Sequence, residues 1–133
     1  MILGIGTDLI NISRIERAID RYGDRFLNRI FSQEERVTFK CQQKQAATYA
    51  KRWAAKEALS KALGTGMKKG VSWKEINVIN LISGQPSIIL SGQTKKYMKN
   101  ITPTNFIARI HVSITDDPPW AQAFVIIDLN PSE

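Results

Sequence analysis

Residues 46–63 run without a glycine or a proline, are rich in alanine, and stop at Gly64. Alanine loses almost nothing on entering a helix, and a glycine supplies the left-handed residue that ends one, so this stretch predicts the long helix around which everything else must pack. The surrounding segments differ in character. Residues 75–82, 86–90, 106–115 and 121–129 are rich in Ile, Val and Phe and read as strands. Ser83, Gly84 and Gln85 form the expected turn of a hairpin between the first two. Residues 2–8 are a short apolar run in which Gly4 and Gly6 permit close approach of another backbone, a buried strand with Asp8 at its end. Over residues 11–22 the period becomes helical, with Ile12, Ile15, Ile19 and Tyr22 on one side and Gly23 as the stop.

Between these elements the pattern is weaker. A polar stretch follows Gly23 with a small apolar set of its own, Phe26, Leu27, Ile30 and Phe31. Residues 91–100 read as a short helix or a loop, and 116–119 as a turn that Pro118 and Pro119 keep from extending a strand. There is no repeat and no low-complexity tail. The expectation is one α+β domain over residues 1–133, an antiparallel sheet packed by helices, with a single core built from the 43% of residues that are hydrophobic.

No apolar run approaches the roughly 20 residues of a membrane span. The start MILGIGTDLI lacks a basic leader and is interrupted by Asp8, so it does not read as a signal peptide. The expected compartment is the cytoplasm. The one cysteine, Cys41, can form neither an internal disulfide nor a cysteine metal cluster and reads as a plain free thiol. A formal charge of +7 calls for an anionic partner: nucleic acid, anionic lipid, a phosphorylated cofactor or an acidic protein.

The placement of the charges narrows that choice. At about 100° per residue, Arg14, Arg17, Arg21 and Arg25 fall within an arc of roughly 80°, away from Ile12, Ile15 and Ile19. Glu16 and Asp20 lie off this arc. The face is either solvated or a docking surface for an acidic macromolecule, and arginine suits bidentate capture of carboxylate or phosphate.

On the long helix, Glu57 and Lys61 lie on the side of Ala46, Ala50 and Ala54, the side expected to be covered. A simple Glu57–Lys61 pair one turn apart is one reading. Asp8 offers another, because a second carboxylate at the end of a buried strand completes a site for a hard cation. Mg²⁺ is typically held by one or two carboxylates together with waters and substrate phosphates. Lys61 would then neutralise phosphate, and the Gly64-Thr65-Gly66 turn, otherwise an ordinary helix stop, would bring backbone close to phosphoryl oxygens.

Four blocks carry a family resemblance: G-I-G-T-D-L-I-x-I-x-R-I at 4–15, R-W-A-A-K-E-A-L-S-K-A-L-G-T-G at 52–66, G-x-P at 84–86 and H-V-S-I-T at 111–115. In this order they resemble the signature blocks of the bacterial holo-[acyl-carrier-protein] synthases, 4′-phosphopantetheinyl transferases, over nearly the whole chain. The resemblance implies transfer of the 4′-phosphopantetheine arm of coenzyme A to a serine of an acidic apo acyl carrier protein in fatty acid biosynthesis. It implies Mg²⁺ on Asp8 and Glu57, and Lys61 beside the pyrophosphate. The general base would be Glu57, directly or through a water. Arg52 and His111 would lie near the adenylate phosphates, Gly64, Thr65 and Gly66 near the phosphates, and Gly84 and Pro86 along the adenine pocket.

His111 lies on the polar side of the alternation in residues 106–115, where a histidine read alone is solvated or hydrogen-bonded. A homotrimer with sites between subunits is also implied. Asp116 and Trp120 depart from the family pattern, in which histidine and tyrosine are usual. The competing reading is a small basic nucleic-acid-binding module, which would interleave aromatic and basic residues on a sheet face.

Overall fold

The computed structural model describes residues 1–39 and 45–133. Cys41 lies outside them. The element order is β1 (Ile2–Asn11), α1 (Ile12–Tyr22), α2 (Asp24–Ile30), α3 (Gln33–Phe39), α4 (Gln45–Ala62), a single 3₁₀ turn (Trp73–Glu75), β2 (Ile76–Asn80), β3 (Pro86–Leu90), α5 (Gly92–Ile101), β4 (Phe106–Asp117) and β5 (Trp120–Pro131). The α+β class and the antiparallel pairing are as expected. The strands form two sheets: β1-β5-β4, and the separate hairpin β2-β3.

Helix α4 lies across the three-stranded sheet, and the two glycines of β1 are what let it come so close. A Cβ on Gly4 would overlap the carbonyl oxygen of Ala62, and one on Gly6 that of Ala58. With Ala54, Ala55, Ala58 and Leu59 buried beneath, helix and strand meet backbone to backbone. The inward residues of β5, Ala121, Ala123, Val125, Ile127 and Leu129, close the same core. The alternation along β4 holds as far as Thr115: the even-numbered positions from Phe106 to Ile114 are half-buried and the odd-numbered ones exposed.

The outer face of this sheet leaves several large apolar side chains open among polar ones. Ile5, Leu9, Ile107, Trp120 and Phe124 are exposed there, Ile5 to 61% and Leu9 to 56%. Ile5 faces Ile126 across β1 and β5, whereas on β4 the residues opposite Ile126 and Phe124 are the polar His111 and Ser113.

Several sequence expectations shift. Strand β1 continues to Asn11, because the ladder to β5 runs on to Trp120, so Asp8 sits inside a strand. The polar stretch after Gly23 forms two helices. Ser32 and Glu35 cap α3 reciprocally, Glu35 N–H donating to Ser32 Oγ (3.2 Å) and Ser32 N–H to Glu35 Oε1 (3.0 Å). Gly23, at φ 56°, ends α1, so Arg25 belongs to α2 and does not continue the first helix. Tyr22 is half exposed with Arg21 over its ring rather than part of the core. Residues 91–100 resolve as the helix α5, and β4 runs through Asp116 to leave Pro118 and Pro119 as the turn.

Candidate active site

Asp8 reaches α4 because it shares the inward face of β1 with Gly4 and Gly6, which bring that helix against the strand. Glu57 and Lys61 stand one turn apart on α4. Lys61 Nζ donates to Asp8 Oδ1 (3.2 Å) and to Thr7 O (3.0 Å). Among the described residues its ion pair is thus with Asp8, not with Glu57. This rules against the simple helical pair and leaves Glu57 without a cation of its own.

Burial pushes the Asp8 carboxyl above the usual range, against the opposing pull of Lys61 and Arg14. Burial also raises Glu57, and the neighbouring Asp8 charge raises it further, with Lys61 and Arg14 again opposing. Burial thus disfavours the charged form of both carboxyls even with Lys61 and Arg14 beside them, so the pair can take up further positive charge. No group of three or more His, Cys, Asp and Glu side chains gathers among the described residues. The donor set is therefore two carboxylates, which fits Mg²⁺ completed by water and phosphate oxygens and not a closed structural metal site. Arg14 acts on both carboxyls, so the exposed arginine face of α1 begins at the edge of this site. Arg17, Arg21 and Arg25 are also exposed, Arg17 Nη1 donating to Ser13 Oγ (3.3 Å).

The Gly64–Gly66 turn differs from expectation. The N–H groups of Thr65 and Gly66 both donate to Ser60 O (3.3 and 3.1 Å), and the Thr65 hydroxyl donates to Gly66 O (2.6 Å). These donors close the C-terminus of α4, whose last carbonyls need partners, and are occupied in that role. The positive φ of Gly64 (84°) and Gly66 (64°) makes the closure possible.

Arg52, Gly84 and Pro86 line one cleft of about 200 Å³ with Lys51, Asn80, Ile114 and Asp116. Lys51 faces Asp116 at 3.7 Å. Arg52 is buried, with its guanidinium over the Phe39 ring and its Nε unpaired. Burial lowers its pKa, opposed by Glu35. His111 is placed elsewhere: it lies on the outer face of the sheet, opposite to α4, 2.8 Å from Asp128. That hydrogen bond holds the Asp128 carboxyl below its ordinary range. One chain does not bring His111 to the carboxylate pair.

Lys56 escaped the sequence reading. Completely buried, it donates to Glu35 Oε1 (2.7 Å), Ile30 O (2.9 Å) and Trp73 O (3.0 Å). All three of its donors are thereby used, tying α2, α3 and the 3₁₀ turn to the residue next to Glu57. The readable sign was the S-x-x-E spacing at Ser32, which marks the start of α3. Trp53 stacks on Trp73 (4.3 Å) and Phe26 (5.9 Å) one turn before Glu57.

A sequence model described as the 4′-phosphopantetheinyl transferase superfamily matches residues 4–116. A holo-[acyl-carrier-protein] synthase of Dinoroseobacter shibae is 55% identical over 133 residues, covering 100% of this chain and 96% of that one. The crystal structure of the holo-[acyl-carrier-protein] synthase of Neisseria meningitidis superposes with a TM-score of 0.87 at 34% identity, over 96% of this chain and 99% of that one. The Helicobacter pylori enzyme, solved in complex with coenzyme A, gives 0.79 at 33% identity, over 93% and 99%. A match of this extent to sequence model, relatives and fold together means that the chain belongs to the 4′-phosphopantetheinyl transferase superfamily, among its holo-[acyl-carrier-protein] synthases.

Proposed function

We propose that this chain transfers the 4′-phosphopantetheine group of coenzyme A to a serine of apo acyl carrier protein, at a site made by Asp8, Glu57 and Lys61. The observation that carries the assignment of the site is the convergence of two partly buried carboxylates and one ammonium on the face of α4. Mg²⁺ held by Asp8 and Glu57 would polarise the β-phosphoryl group and offset charge on the departing oxygen. The serine oxygen attacks the β-phosphorus, and its proton passes to Glu57, directly or through a water. The bond from that phosphorus to the bridging oxygen breaks, and Lys61 neutralises the leaving adenosine 3′,5′-bisphosphate. Phosphoryl transfer asks mainly for positioning and electrostatics, so few residues suffice.

The cleft of Arg52, Gly84 and Pro86 holds the nucleotide half, with the buried guanidinium toward phosphate. Gly64, Thr65 and Gly66 serve by holding Lys61 in place rather than by donating to phosphate. The large apolar side chains left exposed on the outer face of the three-stranded sheet support a homotrimer, in which His111 of one chain reaches the cleft of the next. Acyl carrier protein as substrate supports a role in fatty acid biosynthesis, with the cytoplasm as the proposed compartment. No helix among the described residues is long and apolar enough to cross a membrane. The nucleic-acid-binding alternative has no support in the relatives.

Mass spectrometry tests the reading: with Mg²⁺ and coenzyme A, apo carrier protein gains the phosphopantetheine mass, and chelator prevents it. No gain across several carrier proteins would overturn it. The arginine face makes a separable prediction. Arg14→Glu with Arg21→Glu is expected to weaken carrier binding at least tenfold, as lost charge-assisted contacts would, and to leave coenzyme A affinity unchanged; calorimetry with each ligand decides, and an equal loss of both removes the docking role.

The cation itself can be followed without turnover. Asp8 and Glu57 bind protons more readily in the folded chain than in the unfolded one. Without metal they therefore favour folding at low pH and burden it once pH rises through their folded values. A bound cation removes the burden, so Mg²⁺ at a hundredfold excess over Kd should raise Tm at pH 8 by about 10 °C, the equivalent of about 2.7 kcal/mol. The increment should shrink at pH 5, where protons compete.

A further inference from the structure

Residues 14–25 account for little of the net charge, because Glu16, Asp20 and Asp24 alternate along the chain with their four arginines. The excess lies elsewhere. Residues 64–101 hold six lysines, Lys68, Lys69, Lys74, Lys95, Lys96 and Lys99, and one acidic residue, and so supply five of the seven net positive charges. That acidic residue, Glu75, is turned inward onto α5: its carboxylate accepts from the N–H groups of Gln93 (3.0 Å) and Thr94 (3.1 Å) and from the hydroxyls of Ser72 and Thr94 (both 3.0 Å). All six lysines are exposed, and none is in an ion pair with a described residue.

Helix α5 has two faces. Thr94, Tyr97, Met98 and Ile101 turn toward the protein, whereas Lys95, Lys96 and Lys99 fall within an arc of about 100° on the other side. The loop carrying Lys68 and Lys69 rests against the start of this helix, with Ser72 N–H donating to Thr94 Oγ1 (3.0 Å) and Thr94 Oγ1 to Gly70 O (3.4 Å). The same loop begins at the catalytic helix. Gly66 N–H is bonded to Ser60 O (3.1 Å), next to Lys61, and Lys68 is two residues on, within about 7 Å of chain.

We infer that this lysine segment is a steering surface for the acidic carrier protein, which guides it to the Asp8–Glu57 site and forms no part of the docked contact. The inference rests on the transfer reading above. Charge complementarity selects the occupant: the segment is of one sign, its single carboxylate is turned inward, and it starts beside the residue that faces the phosphate. Lysine ammoniums are strongly hydrated point charges on flexible stems, suited to long-range attraction rather than to fixed bidentate contacts. Steering of this kind raises association rates by about 10- to 1,000-fold and decays over a Debye length of about 8 Å at physiological salt.

The test is steady-state kinetics of Lys95→Glu/Lys96→Glu/Lys99→Glu, with the Gln triple variant beside it to remove charge without reversing it. At low ionic strength kcat/KM for carrier protein should fall about tenfold in the Glu variant and less in the Gln variant. The kcat and the KM for coenzyme A should stay at wild-type values, and the difference should vanish near 0.5 M salt. Lys68→Glu, closer to the site, should lose more per charge than Lys99→Glu. An unchanged kcat/KM at low salt, or a deficit that persists at high salt, would overturn the inference while wild-type transfer stands. So would salt-sensitive binding of the wild type to anionic vesicles or RNA that the Glu variant loses without any kinetic change. Absence of transfer by the wild type itself would instead remove the transfer reading and this inference with it.

Discussion

Asp8→Asn and Glu57→Gln are each expected to lower kcat of phosphopantetheine transfer by about 10²- to 10³-fold, the usual cost of deleting one preorganised electrostatic group from a reacting site. The substitutions are isosteric, and both side chains are partly exposed, so the fold has little reason to respond. The metal-free Asp8→Asn protein should unfold within about 1 kcal/mol of the parent, because losing the Lys61 pair is offset by relief of the repulsion between the carboxyls. The Mg²⁺-dependent rise in Tm should disappear in either variant. Turnover near the parent rate in Asp8→Asn would remove the two-carboxylate site. A large loss of stability in both would recast the pair as structural. Glu57→Gln also removes the candidate base, so the acidic limb of its pH profile should flatten.

Lys56→Met is expected to be among the most damaging substitutions for folding, at about 3–5 kcal/mol, although Lys56 touches no substrate in the proposed mechanism. Its ammonium satisfies the buried Glu35 carboxylate and the carbonyls of Ile30 and Trp73. Burial pulls the Lys56 pKa down, and only the Glu35 charge and hydrogen bond oppose that. Truncating one partner of a buried pair strands the other, which is the costly event; the intact pair adds little over an apolar substitute. Denaturant unfolding should show the loss. Lys56→Met with Glu35→Leu should recover part of it, the remainder being the α3 cap that Glu35 also provides. A Lys56→Met protein within 1 kcal/mol of the parent would mean that the buried carboxylate has another way to be neutralised.

These two cases mark what is and is not visible along a chain. The long helix was legible to within a residue at each end, because alanine content and a terminal glycine are local properties. The inside and outside of β4 were legible because a strand alternates with period 2. Asp8 and Glu57 were legible as candidates, and the ordered blocks around them specified the family. Lys56 was not, since a lysine among alanines reads as surface until the carbonyls of Ile30 and Trp73 converge on it. The placing of Arg25 on the first helix failed for a similar reason: a wheel assumes a continuous axis, and the positive φ of Gly23 breaks it.

The sequence by itself determined the α+β class, the long helix with its glycine stop, the arginine face as far as Arg21, and the residue types of the proposed cation and phosphate site. Those depend on propensity, periodicity and chemical identity, all carried by neighbours in the chain. Only the tertiary structure decided that Lys61 pairs with Asp8 rather than Glu57, that the Thr65 and Gly66 amides close a helix, and that His111 faces away from the carboxylates. Each of these depends on distances between residues far apart in sequence, which backbone contact at Gly4 and Gly6 brings within reach of α4 and which no local pattern encodes.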